Sequence, residues 1–190
     1  GPERMETNST EADLAAASDI TMTSNYDWTA KFDFEVEYSE MPAMTKISKR
    51  TVEDGIYVIQ CSFAPESVID VQEGSSDPRA NIQLWKSNGT AAQAFLFRCN
   101  EAAGAYEITN VKSEMALDVQ GGSMVSGANV QQYAPNLTEA QRWSIAPNED
   151  GTFTLSPAGN PELALDASGG RPTPGTNIQV YAANATEVQR

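Results

Sequence analysis

The sequence predicts an all-β protein built from three equivalent four-stranded units, and three observations carry that expectation. One stretch recurs three times: IDVQEGSSDPRANIQLWKSNGTAAQAF at Ile69–Phe95, LDVQGGSMVSGANVQQYAPNLTEAQRW at Leu117–Trp143 and LDASGGRPTPGTNIQVYAANATEVQR at Leu165–Arg190. Asp70, Asp118 and Asp166 lie 48 residues apart, as do Gln83, Gln131 and Gln179, then Trp85, Tyr133 and Tyr181, Asn88, Asn136 and Asn184, and Gln93, Gln141 and Gln189. A period held without insertion at so many positions marks one supersecondary unit used three times. Between the copies, short β-branched and aromatic runs alternate with clusters of Gly, Ser, Pro and Asn, which is strand-and-turn chemistry.

Each unit opens on a short run: Gly55-Ile-Tyr-Val-Ile, Gly104-Ala-Tyr-Glu-Ile and Gly151-Thr-Phe-Thr-Leu. Second strands are expected at Val68–Val71, Ala116–Val119 and Ala164–Ala167, and third strands at Ile82–Trp85 and its equivalents. Fourth strands follow at Phe95–Cys99 and Trp143–Ile145. Short strands in three equivalent sets can remove their exposed edges by closing a barrel capped by hairpins, the architecture of a β-trefoil. In the third copy the sequence stops at Arg190, where the others continue with Phe95 and Trp143, so its last strand is missing from the chain.

Upstream, residues 1–20 read as an acidic, polar leader without aromatic residues, headed by a Gly1-Pro2 tag scar. Residues 21–50 form an extended segment with one strand and a connector, because Phe32, Phe34, Val36 and Tyr38 alternate with Asp33, Glu35 and Glu37. Ser24-Asn25 precedes Phe32 by the same interval that separates Ser87-Asn88 from Phe95. This segment is therefore expected either to end a preceding similar module or to pack on this one. In the second case it fills the place of the missing strand, by exchange or by packing with a neighbouring module. The repeat region spans 51–190, with units at about 51–99, 100–147 and 148–190.

Composition narrows the function. Twelve Lys and Arg against twenty-six Asp and Glu leave a formal charge of −14, which repels phosphate backbones and excludes nucleic acid as a partner. No apolar run approaches the roughly 20 residues of a membrane span, so no membrane insertion is expected. The chain has no histidine, the commonest general base and transition-metal ligand. Neither a metal nor another cofactor is expected. Cys61 and Cys99 could make one disulfide closing a 38-residue loop, worth about 4 kcal/mol in the chain-entropy model, or could stay as two small buried thiols. Asn148-Glu-Asp-Gly lacks the ligand spacing of a calcium loop and reads as an acidic turn.

The stretch Leu/Ile-Asp-Val, then Gln-x-Trp/Tyr, a turn and Gln-x-Phe/Trp resembles the QxW repeat of the ricin B-type β-trefoil lectins, and is most similar to the bacterial carbohydrate-binding modules among them. The resemblance covers about 140 residues. It implies a non-catalytic, secreted or cell-surface module that binds glycans, of galactose type or another pyranose, weakly at each of up to three sites. In that family the aspartate and the aromatic residue of each copy form the site, which implies Asp70 with Trp85, Asp118 with Tyr133 and Asp166 with Tyr181. Read as chemistry, the carboxylate would accept hydrogen bonds from vicinal hydroxyls, the aromatic would face the C–H side of the ring, and Asn88, Asn136 and Asn184 would add an amide.

The same residues have a purely structural reading: Asp capping a turn, an aromatic in the core, and Asn-Gly as hairpin chemistry. Gln93, Gln141 and Gln189 are expected to tie the turn to the backbone. The Asn-x-Thr triplets at Asn88, Asn136 and Asn184 match glycosylation acceptors, as Asn8-Ser-Thr does, but three of the four are the repeat turn itself. Sugar-binding members of the family often carry Asn just before the glutamine, where this chain has Ala92, Ala140 and Val188. The alternative function is a structural or protein-binding trefoil segment of an adhesin with relic sugar sites. A glycosidase would need two carboxylates about 5–10 Å apart across one substrate, whereas threefold symmetry puts each repeated aspartate in a different lobe.

Overall fold

A computed structural model describes residues 50–190. They fall into two units. The first holds, among described residues, Arg50, Thr51 and 101–104, and within it Arg50 Nη2 pairs with Glu101 Oε2 at 3.0 Å. The second, 52–100 with 105–190, is the repeat region.

Eleven strands form in the second unit: β1 (Gly55–Tyr57), β2 (Ser67–Val71), β3 (Ile82–Lys86), β4 (Phe95–Asn100), β5 (Ala105–Asn110), β6 (Ala116–Val119), β7 (Val130–Tyr133), β8 (Arg142–Pro147), β9 (Phe153–Pro157), β10 (Leu163–Ala167) and β11 (Ile178–Ala182). Their sequence of origin is the expected one, and single-turn 3-10 segments are the only helical elements among the described residues. The barrel staves run β1-β4-β5-β8-β9, all antiparallel, with Phe97 opposite Ile108 and Ile145 opposite Leu155. Three hairpins, β2–β3, β6–β7 and β10–β11, cap it. This is a β-trefoil.

Period-two alternation explains which residues point inward. On β4, Phe95 and Phe97 are buried while Arg98 is exposed; on β8, Trp143 and Ile145 take the equivalent places. Trp143 is large enough to need a partner for its ring N–H, and donates to Leu117 O at 3.1 Å. Each hairpin turns one face to the core: in the first, Ile69, Val71, Ile82 and Leu84 are at most 1% exposed. Those four sit with Trp143, Ile108, Leu117, Val119, Leu165 and Ile178 in one cluster.

The hairpins are stitched around the threefold axis. Asn81 Nδ2 donates to Asn177 Oδ1 (2.7 Å), Asn177 Nδ2 to Asn129 Oδ1 (2.8 Å) and Asn129 Nδ2 to Asn81 Oδ1 (2.8 Å), a closed ring of three amides 48 residues apart. Each amide donates once and accepts once within the ring, so the dipoles reinforce one another.

By the same symmetry a sixth stave belongs between β9 and β1. Among the described residues that place is a groove of about 320 Å³, whose lining includes Tyr57, Phe97, Ile145, Phe153, Leu155 and Leu165. Ile56 and Val58 stand exposed beside it, and among the described residues β1 pairs only with β4. The strand expected at Phe32–Tyr38, together with the leader and Asn8, lies outside the described residues.

Of the two outcomes the sequence left open for Cys61 and Cys99, the structure has the thiols and no disulfide between them, Cys61 buried and Cys99 partly buried. Cys61 is buried beside Asp166 of the third repeat, and burial first, then that carboxylate's charge, raises its pKa from 9.0 to about 11. Cys99 is held instead on β4, opposite Tyr106, so the two sulfurs have different neighbours.

Candidate functional site

Antiparallel pairing puts Asp70 opposite Gln83 and Val68 opposite Trp85, so all four lie on the outer face of the β2–β3 hairpin. The chain then leaves β3, turns at Asn88 and returns over that face as the segment Ala91–Gln93. Gln93 is what fastens it. Its Oε1 accepts from Asn88 N at 2.9 Å, and its Nε2 donates to Lys86 O at 3.0 Å and to Asp70 Oδ2 at 2.9 Å. The other carboxylate oxygen, Asp70 Oδ1, accepts from Gln83 Nε2 at 3.0 Å.

The clamp is built three times with nearly the same distances. Asp118 accepts from Gln131 (3.0 Å) and Gln141 (2.9 Å), and Asp166 from Gln179 (2.9 Å) and Gln189 (3.0 Å). Gln141 also bonds Asn136 N and Ala134 O, and Gln189 bonds Asn184 N and Ala182 O. The glutamines therefore tie the turn to the backbone, as their spacing suggests, and the aspartates anchor them. The three carboxylates are only 5%, 4% and 6% exposed, with both oxygens engaged.

The asparagines close the turn. Asn88 Oδ1 accepts from Thr90 N (3.0 Å) and Thr90 Oγ1 (2.8 Å), and Asn136–Thr138 and Asn184–Thr186 repeat the arrangement. This is the Asx turn that an Asn-x-Thr triplet favours. All three asparagines are exposed. Ala92 and Ala140, just before the glutamines, are buried against the hairpin and bring no polar group to the surface.

The aromatic residues are not core. Trp85 is 41% and Tyr181 44% exposed, and Tyr133 is half-buried. Each stands beside a loop of a different repeat, a neighbour that sequence spacing does not reveal. Gly175 N donates to Leu84 O (2.7 Å) next to Trp85, Arg79 N to Gln132 O (2.7 Å) next to Tyr133, and Gly127 N to Val180 O (2.8 Å) next to Tyr181. A Cβ on Gly175 would meet the Trp85 ring at 3.8 Å.

The structure thus assembles, in each lobe, a flat ring, exposed in Trp85 and Tyr181 and half-buried in Tyr133, and an exposed Asn turn over a buried Asp–Gln–Gln clamp. The twelfth-strand groove is separate, since none of Trp85, Tyr133 and Tyr181 lines it. The segment 148–151 is an acidic turn: Asp150 Oδ1 accepts from Thr152 N and its Oδ2 pairs with Arg190 at 2.9 Å. Hydrogen bonds from Thr152, helped by Arg190, hold the Asp150 carboxyl below its ordinary range. Among the described residues no three acidic or sulfur side chains converge as metal ligands, and no helix there is long and apolar enough to cross a membrane.

Two signals went unread in the sequence. Gln83, Gln131 and Gln179 share the 48-residue period yet their role as second partner to the aspartate emerges only from the hairpin register. Arg79, Gly127 and Gly175 belong to the sites through the fold alone.

Comparison with known proteins places this geometry. A family model for the ricin-type β-trefoil lectin domain-like group matches residues 91–181. A search of curated proteins found no match. Among solved structures, the designed threefold-symmetric protein ThreeFoil is similar at 26% identity over 72% of this chain and 95% of its own, with a TM-score of 0.68. The exo-β-1,3-galactanase 1,3Gal43A of Clostridium thermocellum is similar at 28% identity over 74% of this chain but 29% of its own, with a TM-score of 0.64. The ricin B-like lectin of Macrolepiota procera, solved in complex with lactose, shares the fold at 20% identity over 74% of this chain and 94% of its own, with a TM-score of 0.62. The chain thus shares the β-trefoil fold of these proteins and matches the ricin-type β-trefoil lectin domain-like model over residues 91–181.

Proposed function

We propose that this domain is a non-catalytic carbohydrate-binding module of a secreted or cell-surface protein, with one shallow pyranose site in each lobe. The observation that carries the reading is the exposure of Trp85 and Tyr181 at equivalent places. A large flat side chain left on the surface beside hydrogen-bonding groups is costly to solubility and suits the C–H face of a sugar. Asn88, Asn136 and Asn184 offer their amide nitrogens beside the rings. Asp70, Asp118 and Asp166 act chiefly by fixing the turn through Gln93, Gln141 and Gln189, and present a hydroxyl with the lone pairs those amides leave unused. Galactose-type sugars are the first candidates, because the similar solved structures include a galactanase and a lactose complex.

At about −0.3 kcal/mol per ligand heavy atom, a monosaccharide of about a dozen atoms binds with a millimolar dissociation constant. Such a module works on repeated glycans. Titration of the wild type and of Trp85→Ala with lactose, followed by NMR, tests the reading. Resonances around Trp85 shift in the wild type and stay fixed in the variant, whose dispersed amide spectrum verifies that it folds. Saturating lactose with no shift around any of the three rings would favour the other reading, a structural or protein-binding trefoil segment of an adhesin.

A further inference from the structure

The three lobes are not chemically alike. At the loop position that faces each aromatic ring, two copies carry glycine, Gly127 with φ 92° and Gly175 with φ 93°. The third carries Arg79 with φ 74°. All three backbones are in the left-handed region, where a side chain is strained and glycine is not. A glycine would relieve that strain and keep the loop's backbone bond, Arg79 N to Gln132 O. The arginine side chain therefore does something that the loop's fold does not require.

Its position says what. The Arg79 guanidinium carbon lies 5.6 Å from the centroid of the Tyr133 ring. It is exposed, and the ion pairs among the described residues, Arg50–Glu101, Arg142–Glu107 and Arg190–Asp150, do not involve it, in a chain of net charge −14. A cation resting on an exposed ring gains little from the contact, and here it also keeps Tyr133 half-buried where Trp85 and Tyr181 are open. A guanidinium offers paired donors matched to a planar oxyanion, and its bonds to one are about twice as strong as neutral hydrogen bonds.

We infer that the Tyr133 lobe selects anionic sugars, a pyranose bearing a carboxylate or a sulfate, while the Trp85 and Tyr181 lobes take neutral ones. The inference rests on the carbohydrate reading above and gives one lobe a different ligand class. Arg79 supplies the charge-assisted bonds to the anion, and Tyr133 packs on the ring. A module of this kind bridges neutral and acidic stretches of one glycan.

The test is a titration of the full chain and of Arg79→Gly with galactose, galacturonate and galactose 6-sulfate, read by amide NMR shifts around Tyr133, Trp85 and Tyr181. Galacturonate or the sulfate should bind at Tyr133 about tenfold more tightly than galactose, the size of one charge-assisted bond. The preference should shrink in 1 M salt and vanish in Arg79→Gly, which keeps its melting temperature. The carboxylate and sulfate arms tell which anion is meant. Equal affinity of galactose and both anions at Tyr133 would overturn the inference. So would a gain of galactose binding there in Arg79→Gly, which would make the arginine a cover. Shifts at Trp85 and Tyr181 without any at Tyr133 overturn it while leaving the carbohydrate reading intact; no shift at any ring removes both.

Discussion

The aspartates look like ligand residues in sequence and behave as hubs in three dimensions. Asp118 accepts one amide from Gln131 and one from Gln141, and Gln141 has no freedom to turn its amide over, because its oxygen is held by Asn136 N. Asp118→Asn must therefore oppose two N–H groups, leaving a buried donor unpaired at a cost of about 1–3 kcal/mol. Thermal melts should show the midpoint fall by roughly 5 °C, and an unchanged midpoint would remove the carboxylate from its hub role. Cys61 supplies a second prediction. Its thiol pKa is raised in the fold, from 9.0 to about 11, so the native state holds that proton more tightly than the unfolded chain. The contribution is complete below about pH 9 and lost as pH rises through about 11. Cys61→Ala should lose less stability than the wild type between those pH values in denaturant titrations.

At the scale of the strand, the sequence was informative because the barrel uses plain period-two chemistry. Phe95 and Phe97, like Trp143 and Ile145, alternate inward from turns marked by glycine and asparagine, and the strands begin within a residue or two of their expected starts. The first strand is the exception, ending at Tyr57 rather than Ile59, because β4 is its only partner among the described residues. A strand with one neighbour forms fewer ladder bonds and frays sooner. Appending Trp-Ser-Ile-Ala-Pro, the sequence of residues 143–147, after Arg190 should place an aromatic and an aliphatic side chain in the groove lined by Tyr57, Phe97 and Leu155. The melting temperature should rise by several degrees and the amides of Ile56 and Val58 should gain exchange protection; neither change occurring would show that the groove is not the twelfth strand's place.

For the whole molecule, periodicity revealed that there are three lobes but not which loop meets which ring. That pairing comes from the way each hairpin hydrogen-bonds the loop of another repeat, as Leu84 does Thr176 O and Gln132 does Ala80 O. Contacts of this kind leave no spacing rule in one sequence. The same is true of the Asn81–Asn129–Asn177 ring, whose members share the period yet become meaningful only on the symmetry axis. Threefold symmetry also sets the functional expectation: weak sites displayed around one axis gain two to four orders of magnitude when a repeated glycan engages several at once. The decisive measurement is the affinity for immobilised β-1,3-galactan against free lactose, for the wild type and for a variant carrying Trp85→Ala, Tyr133→Ala and Tyr181→Ala together. The account predicts at least hundredfold tighter retention of the wild type on galactan than its lactose affinity implies, and no retention of a variant that still folds. Retention of that folded variant at wild-type strength would contradict it.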